Sequence, residues 1–186
     1  MIKTKADLRH YLSEDLKRFG SKPSLKDWVM KNEVWYIFRY QRMLRHVEFY
    51  QNSGKFKPAY FLYFFIYKRL CYKLKIDIKP NNIGPGLRIY HLGALIRIKT
   101  NCRIGKNCSL QPGVVIGNKN LEDDGSFVTV GDNSFFGIGS KVFGAVVLGN
   151  NIVVGANSVV VKSVPDNCVV AGIPAKIIKN KSKIIK

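Results

Sequence analysis

From Ile83 to about Ala175 an aliphatic or aromatic residue recurs every six positions, and glycine often follows it. In register the chain reads Ile83-Gly-Pro-Gly-Leu-Arg, Ile89-Tyr-His-Leu-Gly-Ala and Leu95, then Ile104-Gly-Lys-Asn-Cys-Ser, Leu110-Gln-Pro-Gly-Val-Val and Ile116-Gly-Asn-Lys. It resumes as Val130-Gly-Asp-Asn-Ser-Phe, Phe136-Gly-Ile-Gly-Ser-Lys, Val142-Phe-Gly-Ala-Val-Val, Leu148-Gly-Asn-Asn-Ile-Val and Val154-Gly-Ala-Asn-Ser-Val. Strands alternate every two residues and helices turn every 3.6, so a period of six belongs to neither a helix nor a flat sheet. It suits a chain that turns a corner every six residues and stacks coil on coil, with each opening residue inside. The pattern predicts a β-solenoid. It slips between Leu95 and Ile104 and again between Ile116 and Val130, where the polar run Asn118-Lys-Asn-Leu-Glu-Asp-Asp-Gly-Ser cannot line a core.

Residues 1 to 75 follow a helical pattern instead. Thr4 with Asp7 predicts a capped start, Leu8, Leu12, Leu16 and Phe19 keep helical spacing, and Gly20 is a stop. Ser24 with Asp27 predicts a second helix that carries the stripe Ile37, Tyr40, Leu44 and Val47 and ends at Gly54. A third, aromatic-rich helix is expected from Ala59 to Leu74, and its apolar run is too short to span a bilayer. Its aromatics beside Lys68, Arg69 and Lys73 have two readings: a packing surface, which is preferred, or a peripheral membrane contact. A helical cap also covers the strand edges that a solenoid end leaves open. The division expected is an α-helical N-terminal domain over 1–75, a β-helical domain over 76–180 and a basic tail over 181–186.

Charge narrows the partners. Lys and Arg number 31 against 12 Asp and Glu, a formal net charge of +19. Such a field attracts nucleic acid, anionic membrane or a phosphorylated co-substrate. The solenoid lacks the interleaved aromatic and basic residues of a nucleic-acid surface, so no nucleic acid is expected. Cys71, Cys102, Cys108 and Cys168 show no Cys-x-x-Cys spacing and no adjacent His, so no metal is expected and the thiols read as structural. The opening Met1-Ile-Lys-Thr-Lys runs into charged residues rather than an apolar signal core, which points to the cytoplasm, with the inner face of the membrane as the second placement.

Chemistry centres on one histidine. His10 and His46 fall on predicted helices among charged residues, whereas His91 lies in the solenoid, where an outward strand position presents an imidazole as a general base. Asp77, in Ile76-Asp-Ile-Lys-Pro80, is a little less than one coil upstream, and a carboxylate there is expected to orient the ring. Gly137-Ile138-Gly139-Ser140 and Gly155-Ala156-Asn157-Ser158 are one eighteen-residue coil apart and should stack into a smooth groove suited to a pantetheine arm.

The sextets, the Asp77-Ile-Lys-Pro80 motif, the following His91-Leu-Gly93 and the closing Val169-Val-Ala-Gly-Ile-Pro-Ala-Lys176 together resemble the serine acetyltransferase branch of the hexapeptide-repeat acyltransferases, over roughly residues 75 to 180. The short helical part looks more like the compact acetyltransferases of surface polysaccharides. The resemblance implies a mainly β fold: a left-handed parallel β-helix of three sextets per coil, with a short α-helical N-terminal domain. It implies a homotrimer with sites between subunits, acetyl-CoA as donor, and direct transfer to a hydroxyl. His91 matches the base and Asp77 its partner, one residue closer than in the usual pattern. Gly117, Gly137, Ile138, Gly139, Ser140, Gly155 and Ala156 match the CoA wall, with Lys162 or Lys176 on the phosphates. Two features depart from the serine enzymes: Tyr90 stands where they carry Asp, and the stretch 118–129 lacks their second His. Tyr90, Asp123 and Asp124 are therefore expected to bind a saccharide acceptor in surface-polysaccharide biosynthesis. Serine O-acetylation for cysteine biosynthesis is the alternative, and a non-catalytic β-helix scaffold the reading from another class.

Overall fold

In the computed structural model, which describes residues 1–54, 57–117 and 127–180, four helices precede fourteen short strands. Helix α1 (Lys5–Phe19) opens on a reciprocal capping box: the Asp7 amide donates to Thr4 Oγ1 at 3.0 Å, and the Thr4 amide to Asp7 Oδ2 at 2.8 Å. Ser24 and Asp27 repeat the device at α2 (Leu25–Met30). The expected long second helix is interrupted. Lys31 turns left-handed (φ 47°) and ends α2, and the Asn32 side chain then caps α3 (Glu33–Ser53) by accepting from the Trp35 amide. Helix α4 (Lys57–Leu74) starts two residues before Ala59, since proline is tolerated in a first turn.

The strands form three sheets that the chain visits in rotation. The first stacks β1 (Ile76–Ile78), β3 (Ile96–Ile98), β6 (Val115–Gly117), β9 (Lys141–Phe143) and β12 (Val159–Val160). The second stacks β4 (Cys102–Ile104), β7 (Val128–Val130) and β10 (Val147–Leu148), with single bridges at Ile83 and Val164. The third holds β2 (Arg88–Ile89), β5 (Ser109–Leu110), β8 (Phe135–Phe136), β11 (Val153–Val154) and β13 (Cys168–Gly172), closed by β14 (Ala175–Asn180) antiparallel to β13. Every other pairing between these strands is parallel. The result is a three-sided β-helix whose sextet residues, among them Ile89, Ile104, Leu110, Ile116, Phe136, Val142 and Val154, fill one buried core. That core is continuous with Ile37, Tyr40, Leu44, Tyr67 and Leu70 of the helices.

One sextet position needs correction. Leu95 is 46% exposed, and the interior position passes to Ile98, nine residues after Ile89. The first slip therefore lies one segment earlier than the periodicity suggests, in the connection from β2 to β3.

The three corners differ. Between the second and third sheets the core residues are always six apart: Ile83 and Ile89, Ile104 and Leu110, Val130 and Phe136, Leu148 and Val154, Val164 and Val170. There Asn107, Asn133, Asn151 and Asn167 adopt φ of 59°, 58°, 57° and 60°, a left-handed turn that asparagine accepts more readily than other side-chain-bearing residues. Their amides bond in series, at 2.9 Å from Asn107 to Asn133, 3.0 Å from Asn133 to Asn151 and 2.8 Å from Asn151 to Asn167.

A buried ion cluster fastens the helices to the first coil. Arg45, on α3, is fully buried; its Nε donates to Asp15 Oδ2 at 2.8 Å and its Nη1 to Glu48 Oε2 at 3.0 Å. The guanidinium also donates to the carbonyls of Ile83 (2.9 Å) and Gly84 (2.7 Å). Asp15 Oδ1 accepts from the amides of Gly86 (2.8 Å) and Leu87 (2.9 Å). Burial opposes the charge on Arg45, but Glu48 and Asp15 more than offset it and hold the group ionised above its ordinary range. Removing the cation alone strands two buried carboxylates. Arg45→Met is expected to lower the unfolding free energy by about 3–5 kcal/mol in urea titrations, and neutralising Asp15 and Glu48 as well should recover part of the loss. A change below about 1 kcal/mol in the single variant would refute the cluster's role.

Candidate active site

The edge leading from the third sheet back to the first is built of turns stacked rung on rung. The Gly139 amide donates to the Pro112 carbonyl at 2.8 Å, and the Asn157 amide to the Ile138 carbonyl at 2.7 Å. Gly113 packs between its neighbours, so that a Cβ added there would lie 3.1 Å from Gly139 Cα and 3.9 Å from Ala94 Cβ. The connection holding His91 and Ala94 is thus the top rung of a ladder that descends through Gly113, Gly139 and Asn157. Gly139 has φ +68°, and a Cβ there would stand 2.2 Å from Asn157 Oδ1, so the smooth wall depends on glycine.

The expected wall residues divide. Ile138 is 55% exposed and Ala156 is exposed beside half-buried Gly139 and Gly155, while Gly137 contributes only backbone beneath them. Ser140 is corrected: its side chain is fully buried and forms no part of the exposed wall. Gly117 is corrected too, because it ends β6 under the Lys99 side chain, away from this edge. Lys176 lies on β14 opposite Ala171, whose Cβ would be 3.0 Å from one added at Gly155, so it stands beside the ladder's foot. Exposed Lys162 follows β12 on the connection toward the second sheet, at a different corner.

His91 does not sit on a strand. It lies in the longer connection between β2 and β3 with its side chain 65% exposed, and its Nδ1 is 3.5 Å from Glu33 Oε2. The other Glu33 oxygen accepts from the Leu92 amide. Glu33 is the first residue of α3, where a negative charge also meets the helix N-terminal dipole. The expected pairing of Asp77 with His91 is not formed. Asp77 lies in mid β1, in register with Arg97, and its carboxylate meets Lys79 Nζ at 3.0 Å and Arg97 Nε at 3.6 Å. The hydrophobic pattern does not single out Glu33, because it runs α2 and α3 together; Asn32, a favoured capping residue, is the signal that separates them.

Tyr90 is drawn into packing. Its ring meets Phe135 edge-on with centroids 6.1 Å apart, and the Arg88 guanidinium lies 5.1 Å over it while reaching Phe19 of α1. Its expected acceptor role therefore has no support from this geometry. Asp123 and Asp124 lie outside the described residues. His10 is exposed on α1, and His46 stacks on Tyr63 with its pKa pushed down by burial.

Residues 96–119 and 127–162, all within the β-helix, match the family model for the hexapeptide repeat of succinyl-transferase. The particular relatives are serine acetyltransferases. That of Staphylococcus epidermidis is 38% identical over 111 residues, 59% of this chain and 52% of that protein, and that of Staphylococcus xylosus is 39% identical over 111 residues, 59% and 51%. The chain spans about half the length of these curated relatives. Among solved structures, Brucella abortus serine acetyltransferase in complex with coenzyme A aligns with a TM-score of 0.70 at 24% identity, covering 95% of this chain and 68% of that one. Soybean serine acetyltransferase complexed with serine gives a TM-score of 0.76 at 22% identity, covering 94% and 70%. The likeness shows a shared fold that includes the helical region; with the repeat it implies a left-handed β-helix with an N-terminal helical region. The relatives also overturn the surface-polysaccharide reading: they are named for serine, so the saccharide acceptor and the polysaccharide-type branch are set aside.

The contact between Glu33 and the His91 connection is directly measurable. Glu33→Ala should speed amide hydrogen exchange at Leu92 about tenfold, as expected for losing one bond to a charged acceptor, with little change at Ile98. Unchanged exchange at Leu92 would remove Glu33 from the site.

Proposed function

We propose that this protein transfers the acetyl group of acetyl-CoA to the hydroxyl of L-serine, with His91 as general base. The observation that carries the reading is His91 at the top rung of the glycine ladder, within a repeat whose relatives are serine acetyltransferases. A pantetheine arm lying along Gly139, Ile138 and Ala156 would bring its thioester toward His91, and Lys176 stands where a phosphate of the same cofactor could be met.

Glu33 gives the histidine its direction. A carboxylate at Nδ1 favours a proton on that nitrogen and leaves Nε2 as the basic atom. Nε2 takes the serine hydroxyl proton as the oxygen attacks the thioester carbonyl, and the tetrahedral intermediate collapses to O-acetylserine and the CoA thiolate, which the imidazolium then protonates. The negative charge of Glu33 also supplies, from the helical region, an anionic neighbour for the amino acid's ammonium that Tyr90 cannot offer. Transfer is direct. All four cysteines are buried, and burial pushes the Cys102 and Cys108 thiols up to about 12, too high for an acyl-carrying nucleophile.

The homotrimer belongs to this proposal, with an adjacent subunit closing the open side of the ladder. Val147 and Ile138 remain outward on the coils, whereas Phe135 and Phe143 are half-buried rather than freely exposed. Light scattering should give three times the 21.1 kDa chain mass.

His91→Ala should lower acetyl transfer by roughly two to four orders of magnitude while CoA binding, followed by calorimetry, is retained. Glu33→Gln should cost about ten- to a hundredfold in kcat/KM for L-serine at unchanged KM for acetyl-CoA. No serine-dependent thiol release from acetyl-CoA, or near-normal turnover in His91→Ala, would refute the assignment.

A further inference from the structure

Helix α4 presents a second surface that acetyl transfer does not use. Tyr67, Leu70, Cys71 and Leu74 face the core. On the opposite side, at helical spacing, Phe61, Leu62, Phe65 and Tyr72 are 65%, 59%, 60% and 86% exposed. The sequence Lys57–Leu74 contains no Asp or Glu. Its cations stay close to the rings: the Arg69 guanidinium lies 5.7 Å over Phe65 and the Lys68 ammonium 5.6 Å over Phe64.

Positive charge surrounds this face. On one flank a groove of about 300 Å³ between α3 and α4 is lined by Lys31, Arg39, Arg69 and Lys73 with Trp35 and Tyr36, and by no carboxylate. Beyond the helix's last turn a cavity of about 440 Å³ takes in Lys68, Lys75 and Lys79 beside Tyr72. The carboxylate there, Asp77, is already held by Lys79 and Arg97. Among the described residues no helix is long and apolar enough to cross a membrane.

We propose that the outward face of α4 docks on an anionic phospholipid bilayer, with Phe61, Leu62, Phe65 and Tyr72 at the acyl boundary and the flanking lysines and arginines among the phosphates. An aromatic stripe rimmed by cations, on a helix lacking acidic residues, is the chemistry of an interfacial helix. Charge decides against a second copy of the chain as occupant. Pairing the face with itself would set these cations against their own counterparts without a carboxylate between them.

The intact chain is tested by co-sedimentation with vesicles of equal parts phosphatidylglycerol and phosphatidylcholine, against vesicles of phosphatidylcholine alone. Binding should be more than about tenfold stronger on the anionic vesicles and should weaken with salt. Phe61→Ser with Phe65→Ser should abolish it, while circular dichroism and thermal midpoint stay unchanged because both side chains point outward. Arg69→Gln should weaken it about fivefold, the share of one surface cation. Absence of binding, equal binding to both vesicles, or full displacement by millimolar inorganic phosphate would overturn the proposal. So would a double variant that falls to a smaller oligomer with vesicle binding unaffected, which would assign the face to a second copy.

Discussion

The Asp15–Arg45–Glu48 cluster is the constraint on which the remaining architecture rests. The first coil of a β-helix has no coil above it, so its outer backbone groups need partners from elsewhere. Arg45 takes the carbonyls of Ile83 and Gly84, Asp15 takes the amides of Gly86 and Leu87, and Glu48 takes the amide of Asn81. Gln41 adds a bond to the Leu87 carbonyl. Side chains on two helices thus act as the missing coil. Three buried ions are expensive to desolvate, and such a cluster persists because each member is satisfied by the others and by backbone.

The same cluster places the candidate site. Arg45 and Glu33 share α3, twelve residues or about 18 Å apart along the axis. Fixing Arg45 over the first coil fixes the line of the helix and therefore where its N-terminus arrives. It arrives at the His91 connection, with Glu33 in contact with both His91 and Leu92. The candidate site is composite: the β-helix supplies the histidine and the glycine ladder, and the helices supply the carboxylate.

What was legible in the sequence was what is local. The capping boxes at Thr4 and Ser24, the stop at Gly20 and the sextet openers other than Leu95 each depend on residues within a few positions, and the structure has them in those places. Leu95 shows the limit. Fifteen residues separate Ile89 from Ile104 instead of twelve, but the period does not say which segment holds the extra three. The answer lies in a distant pairing, since Ile96 and Ile98 align with Ile76 and Ile78. Asp77 fails for the same reason, because its cross-strand neighbour Arg97 is invisible to a local reading. Glu33 was hidden by a two-residue break between helices. The recurring Gly-x-Asn at 105–107, 131–133 and 149–151 was in plain view, although only the left-handed turns and the amide series give it a meaning.

That asparagine series gives the coil something like a ruled margin. Every departure from six falls at one of the other two corners: the enlarged His91 connection on one, and on the other the stretch between Ile116 and Val130 with the short steps from Ile78 to Ile83 and from Val160 to Val164. A residue deleted at the asparagine corner would throw all later coils out of step, whereas one lost from the His91 connection could be absorbed within it. Loop exchange between related chains is therefore safest where the asparagines are not, and one edge of the prism keeps time while the others are free to diversify.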